Sequence, residues 1–223
     1  MLKYVTSCLR KAVYLIGIGL IAGCASDQEI YQPPAEAASI TSFGTLPFLS
    51  RVALCPSMNV KNPPEKDAVG YVDFAPFIAV DETIVLATTP LEAGCLSSGY
   101  GLRSNRMHKG IDYHHSQPVE IYAAGRGRIL ETGVHRDFGN YVLIYHGQGI
   151  YTRYAHMESI TPELAYGQEI DMGQTIGRMG RTGRRVTGRH LHYEVLKGNY
   201  NTPKKSFGLV AINIFELPQM WPQ

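Results

Sequence analysis

The stretch Gly139-Asn-Tyr-Val-Leu-Ile-Tyr-His-Gly-Gln-Gly-Ile-Tyr-Thr-Arg-Tyr-Ala-His-Met157 decides the fold. Tyr141 to Tyr145 is apolar without alternation, which suits a strand covered on both faces. Ile150 to Met157 is a second β-branched and aromatic run, and only Gly147-Gln-Gly149 separates it from the first. So short a gap of turn residues joins antiparallel neighbours, because a parallel crossover needs a dozen residues or more. The same grammar extends outward through Val119-Glu-Ile-Tyr-Ala-Ala124, Arg128-Ile-Leu-Glu-Thr132, Gly167 to Gly177 and His190-Leu-His-Tyr-Glu-Val-Leu196. Of 23 glycines, 17 fall between Gly94 and Gly198 without a strict period, the mark of many tight turns. No long stretch carries a clean 3.6-residue apolar stripe. The expectation is an all-β, compact antiparallel β-sheet domain.

The chain of 223 residues suffices for one ordinary domain with extensions. With 44% hydrophobic and 18% charged residues it is not a wholly disordered chain. Lys3, Arg10 and Lys11 precede the apolar run Ala12 to Gly23, a pattern that fits an export signal and is short for a transmembrane helix. Without those three, 18 basic residues face 19 acidic ones. No clustered basic excess remains to make nucleic acid the main partner. Residues 24–47 are polar and small, with Pro33-Pro34, and read as a tether. Between Arg51 and Pro90, Val69-Gly-Tyr-Val72 and Thr83 to Thr89 look like strands, and Asn62-Pro-Pro-Glu-Lys-Asp67 like an exposed loop. Cys8 falls in the signal. In an exported chain the later pair, Cys55 and Cys95, reads most simply as a disulfide. The alternatives are two free buried thiols or a metal role for Cys95.

All eight histidines lie between His108 and His192. His190-Leu-His192 fixes a local geometry: on a helix two residues turn through about 200°, whereas on a strand both imidazoles face one side. His108-Lys-Gly-Ile-Asp112 would share a face on either, and Gly110 and Ile111 favour a strand. Two neighbouring strands would then aim His108, Asp112, His190 and His192 into one groove, and imidazole with carboxylate is a donor set suited to zinc.

Two resemblances sharpen these readings. Leu20-Ile-Ala-Gly-Cys24 resembles the lipobox of bacterial lipoproteins, which implies cleavage before Cys24 and lipid on that residue. Ala25 after it, rather than Asp, implies the periplasmic face of the outer membrane. The motifs Ser97 to Arg103, His108 to Asp112, Gly139-Asn-Tyr-Val142, Tyr154-Ala-His156-Met157, Gly173 to Gly177, Gly180 to Gly183 and Thr187 to Glu194 resemble, in order, the lysostaphin-like (LytM-type) zinc metallopeptidases. That resemblance implies a β domain of the duplicated hybrid motif type acting on peptide cross-links of peptidoglycan, with Zn²⁺ as cofactor. It also implies His108, Asp112 and His192 as zinc ligands, with His156 and His190 as the catalytic pair. The organisation expected is a signal (1–23), a tether (24–47), an N-terminal β/loop elaboration (48–94), the peptidase domain (95–200) and a C-terminal extension (201–223).

The substrate expected for such an envelope lipoprotein is the D-alanyl to diaminopimelate link. The membrane, through Cys24, and a regulatory envelope protein are the further partners. Two rivals stand beside this reading: a non-hydrolytic peptidoglycan-binding or amidase-activating protein, and a latent enzyme whose residues 48–95 cover the groove. His114 and His115 are adjacent, so at most one can line the groove; His146 reads as structural and His135 as solvated. Arg178, Arg181, Arg184, Arg185 and Arg189 form a charge run that reads as a solvated loop. The alternative makes Arg185 and Arg189 a groove wall for substrate carboxylates.

Overall fold

The computed structural model describes residues 46–48, 51–184, 186–202 and 207–221. The signal, Cys24, all of the tether before Leu46, and Arg185 lie outside the described residues. The first strands are β1 (Phe77–Asp81), β2 (Ile84–Ala87), β3 (Cys95–Ser98), β4 (Gly101–Arg103) and β5 (Arg106–His108). Then come β6 (Ile111–His114), β7 (Glu120–Tyr122), β8 (Gly127–His135), β9 (Gly139–Gly147) and β10 (Ile150–Ile160). The last are β11 (Glu169–Ile170), β12 (Thr175–Met179), β13 (His190–Thr202), β14 (Phe207–Ile212) and β15 (Gln219–Met220). The helical content among the described residues is a single 3₁₀ turn, Ile214–Glu216. All named strand pairs are antiparallel, so the fold is all-β as the glycine-bounded runs imply.

The main sheet runs in the order β11-β8-β9-β10-β13-β6-β3, with β12 joining β10 to β7 and β14 pairing β13. Strict alternation in His190-Leu-His-Tyr-Glu-Val195 and Ile111-Asp-Tyr-His114 divides this sheet into two chemically distinct faces. Leu191, Tyr193, Val195, Ile111 and Tyr113 enter the main core, joined there by Tyr154. The three buried tyrosine hydroxyls are satisfied: Tyr113 donates to the Thr88 carbonyl (2.7 Å), Tyr193 to the Ala87 carbonyl (3.1 Å), and Tyr154 accepts from the Ala124 N–H (2.7 Å). The other face carries the histidines and, further along, a second cluster of Leu143, Tyr151 and Leu196. This cluster explains why Tyr141 to Tyr145 lacks alternation, since apolar packing lies on both sides of β9.

Two expectations change. Val69 to Val72 is a turn followed by isolated bridges at Tyr71 and Val72, not a strand, because its partners Ala53 and Lys66 pair with it one residue at a time. His108 and Asp112 do not share one strand. The chain breaks at Lys109-Gly110, and a Cβ at Gly110 would stand 2.5 Å from the Tyr193 carbonyl oxygen and 2.8 Å from the His192 ring. The break lets β5 leave the sheet while β6 stays paired with β13.

Residues before β3 pack on the core face. Phe77, Ile78, Ile84 and Leu86 belong to the main core, and Cys55 and Cys95 are joined in a disulfide. β15 pairs with β1, so the C-terminal segment closes onto the N-terminal one.

Candidate metal centre

The register of β13 against β6 sets His192 opposite Asp112 and His190 opposite His114. His108 arrives from the end of β5. The result is a buried triad: His108 Nε2 lies 3.0 Å from Asp112 Oδ1 and 3.1 Å from His192 Nδ1, and those last two atoms are 2.9 Å apart. Three inward-facing donors at such spacing approximate one face of a tetrahedron, whose edge is about 3.3 Å for ligand bonds of about 2.0–2.1 Å. They form a site that fits a metal ion.

Each outward atom of the triad has its own partner. His108 Nδ1 donates to the Gly99 carbonyl (2.7 Å), Arg103 Nη1 reaches Asp112 Oδ2 (3.1 Å), and His192 Nε2 lies 2.9 Å from Glu194 Oε1. Gly99 is itself pressed against Asn62, whose carbonyl oxygen would be 1.9 Å from a Cβ there. Burial opposes ionisation of Asp112, but hydrogen bonds from His108 and His192 outweigh it and hold the carboxyl well below its usual range. Burial likewise works against charge on His192, yet hydrogen bonds to Asp112 and Glu194 hold it up at about 9. Burial pushes Glu194 up, and the charge of Arg153 with the His192 hydrogen bond brings it below its ordinary value.

His156 and His190 stand beside the triad. Their ring centroids are 4.7 Å apart, His156 is 5.8 Å from His192, and His190 Nε2 is 3.9 Å from Asp112 Oδ1. Regular alternation would send His156 to the core face with Tyr154. Instead β10 carries an extra residue between Tyr154 and Met157, and His156 adopts φ +64°. This bulge turns its ring toward His190. His156 Nδ1 donates to the Thr182 carbonyl (2.9 Å) and His190 Nδ1 to the Gly188 carbonyl (2.9 Å). Burial lowers both, His156 to about 4 with the help of the neighbouring His190 and His192 charges.

The remaining expected residues fall as follows. His114 and His115 are both half-buried; His114 is bonded at Nδ1 to the Arg189 carbonyl (2.7 Å), and His115 Nδ1 lies 3.0 Å from the Gln117 carbonyl oxygen. His146 is buried in the core. His135 is half-buried rather than solvated, because it packs against Phe138 and its Nδ1 accepts from the Asp137 and Phe138 N–H groups. Arg189 donates to the Ser116 carbonyl (2.6 Å) and lies 4.0 Å from Glu158, so its guanidinium is directed to that loop. Arg103, Arg153 and Glu194 had no assigned role. Glu194 continues the two-residue period of His190 and His192, a signal that was there to be read; Arg153, from another strand, carries none.

An antiparallel β domain with a convergent His–Asp–His set and two adjacent imidazoles defines a class of metal-site protein. Residues 106–203 match the model of Peptidase family M23. The peptidoglycan DD-endopeptidase ShyA of Vibrio cholerae is 43% identical over 126 residues, 51% of this chain and 29% of that protein. The outer membrane antigenic lipoprotein B of Haemophilus influenzae is 29% identical over 174 residues, 74% of this chain and 42% of that protein. The solved structure of Helicobacter pylori Csd3 shares 28% identity across 60% of this chain and 35% of its own, with a TM-score of 0.48. The chain spans less than half the length of these curated relatives. Among the described residues no helix is long and apolar enough to cross a membrane.

Proposed function

We propose that the protein is a zinc-dependent endopeptidase that hydrolyses peptide cross-links of peptidoglycan, with His108, Asp112 and His192 as ligands. The observation that supports this best is the convergence of the three donors beside two further imidazoles. A zinc ion held by the triad would bring the pKa of a water toward neutrality and polarise the scissile carbonyl.

The protein's own part follows from its tautomers. Carbonyl oxygens only accept, so His156 and His190, each bonded to one through Nδ1, present Nε2 as a proton acceptor when neutral. Their lowered affinity for protons keeps both neutral near pH 7. One Nε2 takes a proton from the attacking water as its oxygen joins the carbonyl carbon. The C–N bond then breaks and the proton passes to the leaving amine.

The name of the Vibrio relative supports the D-alanyl to diaminopimelate link as the bond cut. The Leu20 to Cys24 motif and the name of the Haemophilus relative support an exported lipoprotein, anchored through Cys24 at the periplasmic face of the outer membrane.

The test is incubation of the mature chain with purified sacculi, with and without a zinc chelator, followed by muropeptide mass profiling. Chelator-sensitive conversion of cross-linked dimers to monomers is expected. An unchanged profile from zinc-loaded protein would overturn the enzyme reading in favour of a binding or activating role. His108→Ala should lose bound zinc, and a fully metallated variant would sink the ligand set.

A further inference from the structure

One face of β13 presents His190, His192 and Glu194 in succession, and the register of β10 sets Arg153 directly opposite Glu194. Both are almost fully buried, Arg153 at 5% exposure and Glu194 at 3%. A buried ion pair seldom stabilises a fold beyond what an apolar pair of the same size would, so stability is a poor reason to place one here. Position supplies a better one. Glu194 Oε1 is 2.9 Å from His192 Nε2, while His192 Nδ1 sits within the triad. Arg153 Nη1 lies 2.8 Å from the second carboxylate oxygen, and its guanidinium rests on the Phe138 ring, 4.2 Å from the centroid.

We propose that Glu194, held in place by Arg153, is a positioning residue that sets which nitrogen of His192 faces the metal. The inference rests on the reading of His108, Asp112 and His192 as ligands. A neutral imidazole has one N–H, and an ionised carboxylate only accepts. Glu194 therefore draws that proton to Nε2 and leaves the Nδ1 lone pair to the cation. His108 is held in the opposite sense, with Nδ1–H on the Gly99 carbonyl and Nε2 in the triad. The two rings thus need different outer partners, and the carboxylate also raises the donor strength of the ring it holds. Arg153 occupies the second oxygen and keeps the carboxylate from turning toward the cation itself.

The test measures zinc affinity of the mature chain by competition with a chromophoric chelator, alongside melting in excess chelator. Glu194→Ala should weaken zinc binding by about 10- to 100-fold, the usual effect of losing such an outer partner. Glu194→Gln, whose amide oxygen still accepts from Nε2–H, should restore most of that loss. Because Glu194→Ala strands the Arg153 charge and can unfold the chain, the double variant Glu194→Leu/Arg153→Met removes both charges at similar volume. It should melt like the parent in chelator and still show the weakened affinity. Parental affinity in the double variant overturns the inference, and so does a large drop in its chelator melting temperature, which would make the pair structural. A parent chain that binds no zinc would instead remove the underlying reading, and the two failures are distinguishable.

Discussion

His156 occupies a backbone conformation that strand residues avoid, at φ +64°. For a non-glycine residue this costs about 1–2 kcal/mol, and glycine escapes the cost. In an ordinary strand interior alanine is the more stabilising of the two by roughly 0.5–1 kcal/mol. At position 156 the order should invert: His156→Gly should be more stable than His156→Ala by about 1 kcal/mol, read from urea denaturation, while both lose activity and keep zinc. Alanine as the more stable variant would mean the bulge relaxes once the ring is gone, and that the ring holds the bend. Period-two reasoning puts His156 on the wrong face, because the extra residue between Tyr154 and Met157 leaves no trace in residue types. Its place in the site was legible through the Tyr-Ala-His motif alone. His190 and His192 were legible from spacing, since they lie on a regular stretch of β13 where alternation holds.

Among elements, β9 and β10 were the most legible, and they carry a buried polar chain that strand patterns do not reveal. Ala124 N, Tyr154 Oη, Thr152 Oγ1 and His146 Nε2 are linked at 2.7, 3.0 and 2.7 Å, and His146 Nδ1 donates to the Arg126 carbonyl at 2.7 Å. The chain ties the β9–β10 hairpin to the loop at 124–126. Burial lowers His146 from its ordinary 6.5 to about 4. The unfolded chain therefore takes up this proton first as pH falls. The stabilisation is complete above about pH 6.5 and is lost progressively between 6.5 and 4, to a total of about 3 kcal/mol. His156 and His190 add losses of the same sign, so the comparison must be with a variant. His146→Gln can still donate to the Arg126 carbonyl and accept from Thr152, but it does not titrate. Its stability should fall less steeply than the parent's between pH 6.5 and 4.5; parallel curves would show that His146 is protonated without cost. The break at Gly110 was hidden for a different reason. It depends on the approach of β13, eighty residues later in the chain, and local sequence cannot report a clash with a distant strand.

At the scale of the molecule, the main question is what residues 48–94 do to the site. Their described part packs against the face that holds Tyr113 and Tyr193, opposite the face of His190 and His192. A further contact reaches the loop beside the site. The Lys61 carbonyl accepts from the Gly99 N–H (2.8 Å) and Asn62 Nδ2 donates to the Leu102 carbonyl (3.1 Å), bracing the loop that supplies the Gly99 carbonyl to His108 and Arg103 to Asp112. The Cys55–Cys95 disulfide pins this segment, and the pairing was legible because these two cysteines are left over once Cys8 is read with the signal and Cys24 with the lipobox. Closing a loop of 40 residues' separation constrains the unfolded chain by about 4 kcal/mol on the entropic estimate. Cys55→Ser/Cys95→Ser should therefore lower unfolding stability by about that amount. Since the described part of the segment packs into the core and braces the loop beside the site, turnover per folded molecule should stay level or fall. The measurement is muropeptide release at a temperature where the variant remains folded, normalised to zinc content. Faster release from the variant would mean that residues 48–94 restrain the enzyme, and the latent reading would replace the one drawn from the packing.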